Sequence, residues 1–108
     1  MAQIQKLDDR SFEAYIAEGV TLVDFWATWC APCRLQDPAV ERVAEAAGDS
    51  AKVAKVNVDE AMQAAASVGI QAIPTLILFK DGAPVREFVG LAPEEELMTA
   101  LSELLPGE

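Results

Sequence analysis

The sequence has no histidine and only two cysteines, and its 8 lysines and arginines are outnumbered by 18 aspartates and glutamates. Each shortage closes a class of function. Without histidine the usual general base is missing, so any base must be a carboxylate. Two cysteines cannot make a multi-disulfide scaffold. At positions 30 and 33 they close too short a loop to stabilise much through the unfolded state. Nor can they alone complete a structural zinc site, which takes about four ligands. The formal net charge of −10 opposes binding to a nucleic-acid backbone or an anionic membrane surface and fits a well-hydrated exterior. Long apolar runs are also lacking. The most apolar stretch, Ile70 to Phe79, is too short to span a bilayer and contains Gln71 and Pro74. Met1 to Lys6 has no apolar signal-peptide region, which predicts a cytoplasmic location unless a leader has been removed.

What is present is a chain of 108 residues, 52% of them hydrophobic, without repeats or low-complexity tracts. That predicts one domain over 1–108, with a core of about 4–105 and a fray at Pro106-Gly107-Glu108. A short strand through Ile4 and Leu7 leads to a helix capped by Asp8 or Asp9, with Phe12, Tyr15 and Ile16 on one face and a stop near Gly19. Val20 to Trp26 reads as a strand covered on both faces. Leu35, Ala39, Val40, Val43, Ala44 and Ala47 recur at helical spacing up to Gly48, with Pro38 inside as an expected kink. Val53, Val56 and Val58 mark a further strand, which completes a right-handed parallel unit. A short helix over Asp59 to Val68 follows. Pro74 to Phe79 and Val85 to Val89 then form a hairpin turned by Asp81-Gly82. The last helix has Pro93 in its first turn, three glutamates after it, and Leu97, Leu101 and Leu104 as its buried face. The sum is an α/β sandwich of order βαβαβαββα, a mixed five-stranded sheet flanked by four helices.

Trp29-Cys30-Ala31-Pro32-Cys33 falls where a parallel strand feeds a helix. The thiolate is the nucleophile toward a disulfide, and a helix N-terminus stabilises it through free N–H groups and partial positive charge. Cys30, at the helix start, is the expected exposed nucleophile. Cys33, a turn further in, is the expected resolver of the mixed disulfide. Asp24 is out of place in an apolar strand, on the same face as Leu22 and Trp26. Taken alone it is either a strand-end carboxylate reaching water or a buried acid.

Phe25 to Arg34, together with Asp24, Pro38, Ile73-Pro74-Thr75 and Gly90, resembles the thioredoxin family. The likeness is to its small bacterial-type members, in register from about Leu7 to Leu104, with a Cys-Ala-Pro-Cys variant of the motif. The resemblance implies the thioredoxin fold and a protein-disulfide reductase that needs no cofactor beyond a reversible Cys30–Cys33 disulfide. It implies a buried Asp24 that helps Cys33 lose its proton, with Lys55 nearby, and supporting places for Trp26 and Pro38. It also implies a cis Pro74 facing the dithiol, where the Ile73 backbone pairs with an extended substrate segment. Trp29, Ala31, Pro32, Ile73, Pro74 and Gly90 would form the substrate surface, with Val58 and Val89 as further apolar positions. The implied partners are disulfide-containing proteins and an NADPH-dependent thioredoxin reductase. Nucleic acid and membrane are not among them, and a monomer is expected.

The chain departs from the family pattern at three places. Ala31 stands where most members have glycine, and Asp37 and Leu91 differ from the common choices. No histidine lies between the cysteines, as it does in disulfide isomerases and strong oxidants, which favours a reductant. Three other readings stay open on the residues: an oxidase or isomerase, a binding module with a passive dithiol, and a metal or iron–sulfur site shared between two chains through Cys30 and Cys33.

Overall fold

A computed structural model describes residues 4–105; the fray expected at Pro106 to Glu108 lies outside them. Among the described residues there are five strands and four helices. They are β1 (Gln5–Leu7), α1 (Phe12–Ile16), β2 (Val20–Trp26), α2 (Ala31–Ala47), β3 (Lys52–Asn57), α3 (Met62–Ser67), β4 (Thr75–Lys80), β5 (Ala83–Val89) and α4 (Glu94–Leu104). The strands form one sheet in the order β1-β3-β2-β4-β5. β1, β3 and β2 are mutually parallel, while β4 runs antiparallel to β2 and β5 antiparallel to β4. This is the βαβαβαββα mixed sheet that the sequence predicts.

β2 is the central strand, and its near-continuous apolar run is explained by cover on both faces. Its residues alternate. Val20 and Leu22 pack with Val40 and Val43 of α2 and with Leu97, Ala100 and Leu101 of α4. Val23 and Phe25 pack on the other face with Phe12 and Ile16 of α1 and with Ala64 and Ala65 of α3. There the ring of Phe12 meets Phe25 and Phe79 edge-on, with centroids 6.1 and 5.8 Å apart.

Several local expectations are corrected. Asp8 and Asp9, the candidate caps of α1, do different work. Asp8 Oδ1 accepts from the backbone N–H of Arg10 and Ser11 in the turn ahead of α1. Asp9 Oδ1 accepts from Ala64 N at 2.7 Å and so satisfies a free donor in the first turn of α3. α3 begins at Met62 rather than Asp59. The preceding residues are held as a turn by Asn57, whose side chain accepts from Asp59 N and whose carbonyl accepts from Glu60 N and Ala61 N. Val58 lies just beyond β3, its N–H on the Trp26 carbonyl. Pro93 is the N-cap of α4, not a residue of its first turn. Leu35, assigned to the buried face of α2, is exposed, and Gln36 is buried in its place. The reason is register: the buried positions Cys33, Gln36, Val40, Val43, Ala44 and Ala47 follow the helical repeat, and Leu35 falls off that stripe. α2 itself continues through Pro38 as one element.

Candidate active site

The parallel β2 ends at Trp26, and a short turn places Cys30 at the N-cap of α2. Cys30 has an extended backbone (φ −95°, ψ 104°), as an N-cap should, and its Sγ accepts from Cys33 N at 3.2 Å. Pro32 sits in the first turn, where a missing N–H costs nothing. That turn carries no acidic residue, so the positive end of a 17-residue helix is left unneutralised in a chain of net charge −10. Cys30 and Cys33 are joined as a disulfide, with Cα atoms 5.3 Å apart.

The exposure expected of Cys30 is not found. In this oxidised state Cys30 is 4% exposed and Cys33 1%. Both sulfurs belong to a small cluster with Ala27, against which Trp26, Val58 and Ile73 pack. Burial by these neighbours and by the bonded partner sulfur leaves little of Cys30 open. Within the motif, Trp29, Ala31 and Pro32 face solvent. The Trp29 ring is fixed by its Nε1–H, which donates to Asp59 Oδ2 at 2.8 Å.

The Ile73–Pro74 peptide bond is cis, and Ile73 brings that bend against the dithiol cluster. Gly90 N donates to the Pro74 carbonyl at 2.8 Å, tying the loop after β5 to the same bend. Gly90 has a φ of +88°, a left-handed conformation that favours glycine although a Cβ there would meet nothing. Val89, paired in register with Thr75, is exposed beside it.

Asp24 is fully buried on the α2 side of the sheet, and neither carboxylate oxygen has a hydrogen-bond partner among the described residues. Burial raises its pKa from 3.8 to about 7; the positive charge of Lys55 pulls it down and the negative charge of Asp37 pushes it up. Lys55 is the register partner of Asp24 on β3, but its ammonium is held elsewhere. Lys55 Nζ donates to Asp37 Oδ1 at 2.8 Å and lies 4.6 Å above the Trp26 ring. Trp26 Nε1 is buried without a partner among the described residues. Pro38 follows Asp37 on α2 and is exposed.

Two features of the site carried no clear sequence signal. Gln36 makes a two-point clamp on Ala92: its Nε2 donates to the Ala92 carbonyl at 2.9 Å and its Oε1 accepts from Ala92 N at 2.8 Å. The clamp fixes the loop that carries Gly90 and Leu91 to the helix that carries the dithiol. The Lys55–Asp37 ion pair is the second, joining positions 18 residues apart. Among the described residues no cluster of His, Cys, Asp or Glu could hold a metal ion, and no helix is long and apolar enough to cross a membrane.

The family model for Thioredoxin matches residues 3–103. The chain is 47% identical over 100 residues to the thioredoxin of Alicyclobacillus acidocaldarius, covering 92% of this chain and 95% of that one. It is 42% identical over 102 residues to the thioredoxin of Bacillus subtilis, covering 94% and 98%. In three dimensions it is similar to a mutant thioredoxin from Halobacterium salinarum, with a TM-score of 0.88, 34% identity and coverage of 98% and 94%. The fold is the thioredoxin fold. Members work on protein disulfides through their own dithiol, need no separate cofactor and are returned to the reduced state by a reductase. With the Cys30–Cys33 pair at the N-terminus of α2 and relatives aligned over almost its whole length, this chain belongs to the thioredoxin family and is a thiol–disulfide oxidoreductase.

Proposed function

We propose that the protein is a general protein-disulfide reductase in which Cys30 attacks, Cys33 resolves and Asp24 takes the proton that Cys33 must lose. The observation that carries this reading is the 3.2 Å contact from Cys33 N–H to Cys30 Sγ, because it directs the donor end of α2 at one sulfur of the pair. In the reduced protein that sulfur is the favoured thiolate. It attacks one sulfur of a substrate disulfide, forming a mixed disulfide as the substrate S–S bond breaks and a substrate thiolate leaves with a proton from solvent. Cys33 then gives its proton to ionised Asp24 and attacks Cys30 Sγ. The second substrate thiolate departs, and the two electrons gained by the substrate are balanced by the Cys30–Cys33 bond. An acceptor whose pKa is about 7 is half ionised at neutral pH, where it can both take and return a proton.

Trp29, Ala31, Pro32, Ile73, Pro74 and Gly90 are assigned to the surface that receives an extended segment of the substrate, with Ile73 offering its backbone. Trp26, Lys55 and Pro38 are assigned supporting places around the site. Recycling is assigned to an NADPH-dependent flavoprotein reductase and the location to the cytoplasm, with the protein acting as a monomer. The absence of histidine between the cysteines favours reduction over oxidation or isomerisation.

A Cys33→Ser variant tests the reading, because it stalls at the first mixed disulfide. Incubated with disulfide-containing proteins, it should yield adducts that dithiothreitol releases and that a Cys30→Ser, Cys33→Ser double variant does not form. Recovery of no such adduct would remove the general-reductase assignment.

A further inference from the structure

Asp24 has an unusual electrostatic setting for a buried acid. The cation nearest to it in register, Lys55, is engaged twice without touching it, by Asp37 Oδ1 at 2.8 Å and by the face of Trp26 at 4.6 Å. Asp37 comes from α2, one turn beyond Cys33, and both it and Lys55 are partly exposed. Every other charged group on the surrounding elements is committed or turned outward. Arg34 donates to the Thr28 carbonyl, Arg42 pairs with Glu94, and Glu41 and Glu45 are exposed on α2. Lys52 of β3 donates to the Tyr15 carbonyl, Lys80 of β4 to the Leu104 carbonyl, and the β4 register partner of Asp24 is Leu76. The only other titratable group of α2 on this side is Cys33 itself, in the reduced protein.

We propose that Asp37 is a positioning residue of the redox site: by holding the Lys55 ammonium off the Asp24 carboxyl, it keeps Asp24 basic enough to take the Cys33 proton. The inference rests on the proton-acceptor role of Asp24 proposed above. Its physical basis is that lysine is a point charge on a flexible four-carbon stem, free to swing to whichever carboxylate is nearer. Without Asp37 the ammonium can turn to Asp24 and pair with it. The ion pair would stabilise the ionised form and leave a weaker base. Loss of the negative charge of Asp37 acts in the same direction, in keeping with the opposite effects of Lys55 and Asp37 on Asp24. Asp37 thus offsets part of what Lys55 would otherwise do.

The experiment is a carboxyl-carbon NMR titration of Asp24 in the intact oxidised protein, paired with the pH profile of resolution of a Cys30 mixed disulfide. Asp37→Asn should lower the Asp24 midpoint by about half a pH unit or more and move the resolution profile the same way. Asp37→Glu should keep both near their original positions. Made in a Lys55→Met background, Asp37→Asn should move the midpoint by less than half as much, since the ammonium it positions is gone. Stability should change little, as expected for a partly exposed pair. An unmoved midpoint in Asp37→Asn overturns the inference, and if Asp24→Asn still slows resolution the role of Asp24 stands. An undiminished shift in the Lys55→Met background also overturns it, because Asp37 would then act by its own charge alone. Resolution that is insensitive to Asp24→Asn removes the reading of Asp24 and this inference with it.

Discussion

The two faces of the sheet are built from alternate residues of the same strands, yet they differ in what they bury. On the α1 and α3 side, Val23 and Phe25 meet Phe12, Ile77 and Phe79 in a buried apolar cluster. The buried Thr21 hydroxyl of β2 also lacks a partner among the described residues, but it is uncharged. On the α2 and α4 side the same strand presents Val20, Leu22 and then Asp24, a carboxyl with no such partner beneath a helix that carries the dithiol. One face is packed for stability. The other gives up stability at one position and holds there a group that titrates near neutral pH. The lesson is that the cost and the chemistry share a position, as is common where burial is used to shift a pKa.

The largest effect that would separate the faces is loss of the dithiol. Cys30→Ser should abolish reduction of protein disulfides in a reductase-coupled assay while leaving the fold intact, since the bond closes only a short loop. Next is the apolar face. Phe25→Ala should cost about 3–5 kcal/mol in denaturant unfolding, equally at pH 5 and pH 8, because a cavity has no proton to exchange. A strong pH dependence of that loss would break the distinction between the faces.

Asp24→Asn should do the opposite. The folded-state pKa of about 7 lies above the ordinary 3.8, so the folded protein binds more protons between those values and its stability falls as pH rises through that window. At about 1.4 kcal/mol per pH unit, the ionised carboxylate costs on the order of 4 kcal/mol above pH 7. Asp24→Asn should therefore stabilise the protein at pH 8, with a gain that shrinks toward zero near pH 4. Equal stabilities of the two proteins at pH 8 would contradict a buried, unpaired Asp24. The smallest expected effect belongs to the clamp. Gln36→Leu leaves the buried N–H and carbonyl of Ala92 without partners and should cost about 1–3 kcal/mol. It should also loosen the Gly90–Leu91 loop, readable as faster amide exchange there.

Much of this was legible in the residues, and what was not has physical causes. The apolar run of β2, the Cys-Ala-Pro-Cys motif at a strand-to-helix junction and the misplaced Asp24 are local patterns, and local patterns survive in one dimension. Leu35 misled because its spacing from Ala39 also fits a helical repeat, whereas the stripe through Cys33, Gln36 and Val40 is the one that faces in. Gln36 carries no local signal because its partner is a backbone 56 positions away. Asp9 serves α3 rather than α1 for the same reason, across 55 positions. The near-closure of Cys30 is a property of the oxidised pair and its neighbours Trp26, Val58 and Ile73, which only packing brings together.

Turnover at the Cys30–Cys33 pair should depend on the buried acid behind it. The most direct test is the rate at which Cys33 releases a substrate thiol from a Cys30 mixed disulfide, followed from pH 5 to 9 in the unmodified protein and in Asp24→Asn. In the unmodified protein the rate should rise through an inflection near pH 7 as Asp24 ionises, and the variant should show a slower profile without that inflection. Superimposable profiles would contradict that dependence.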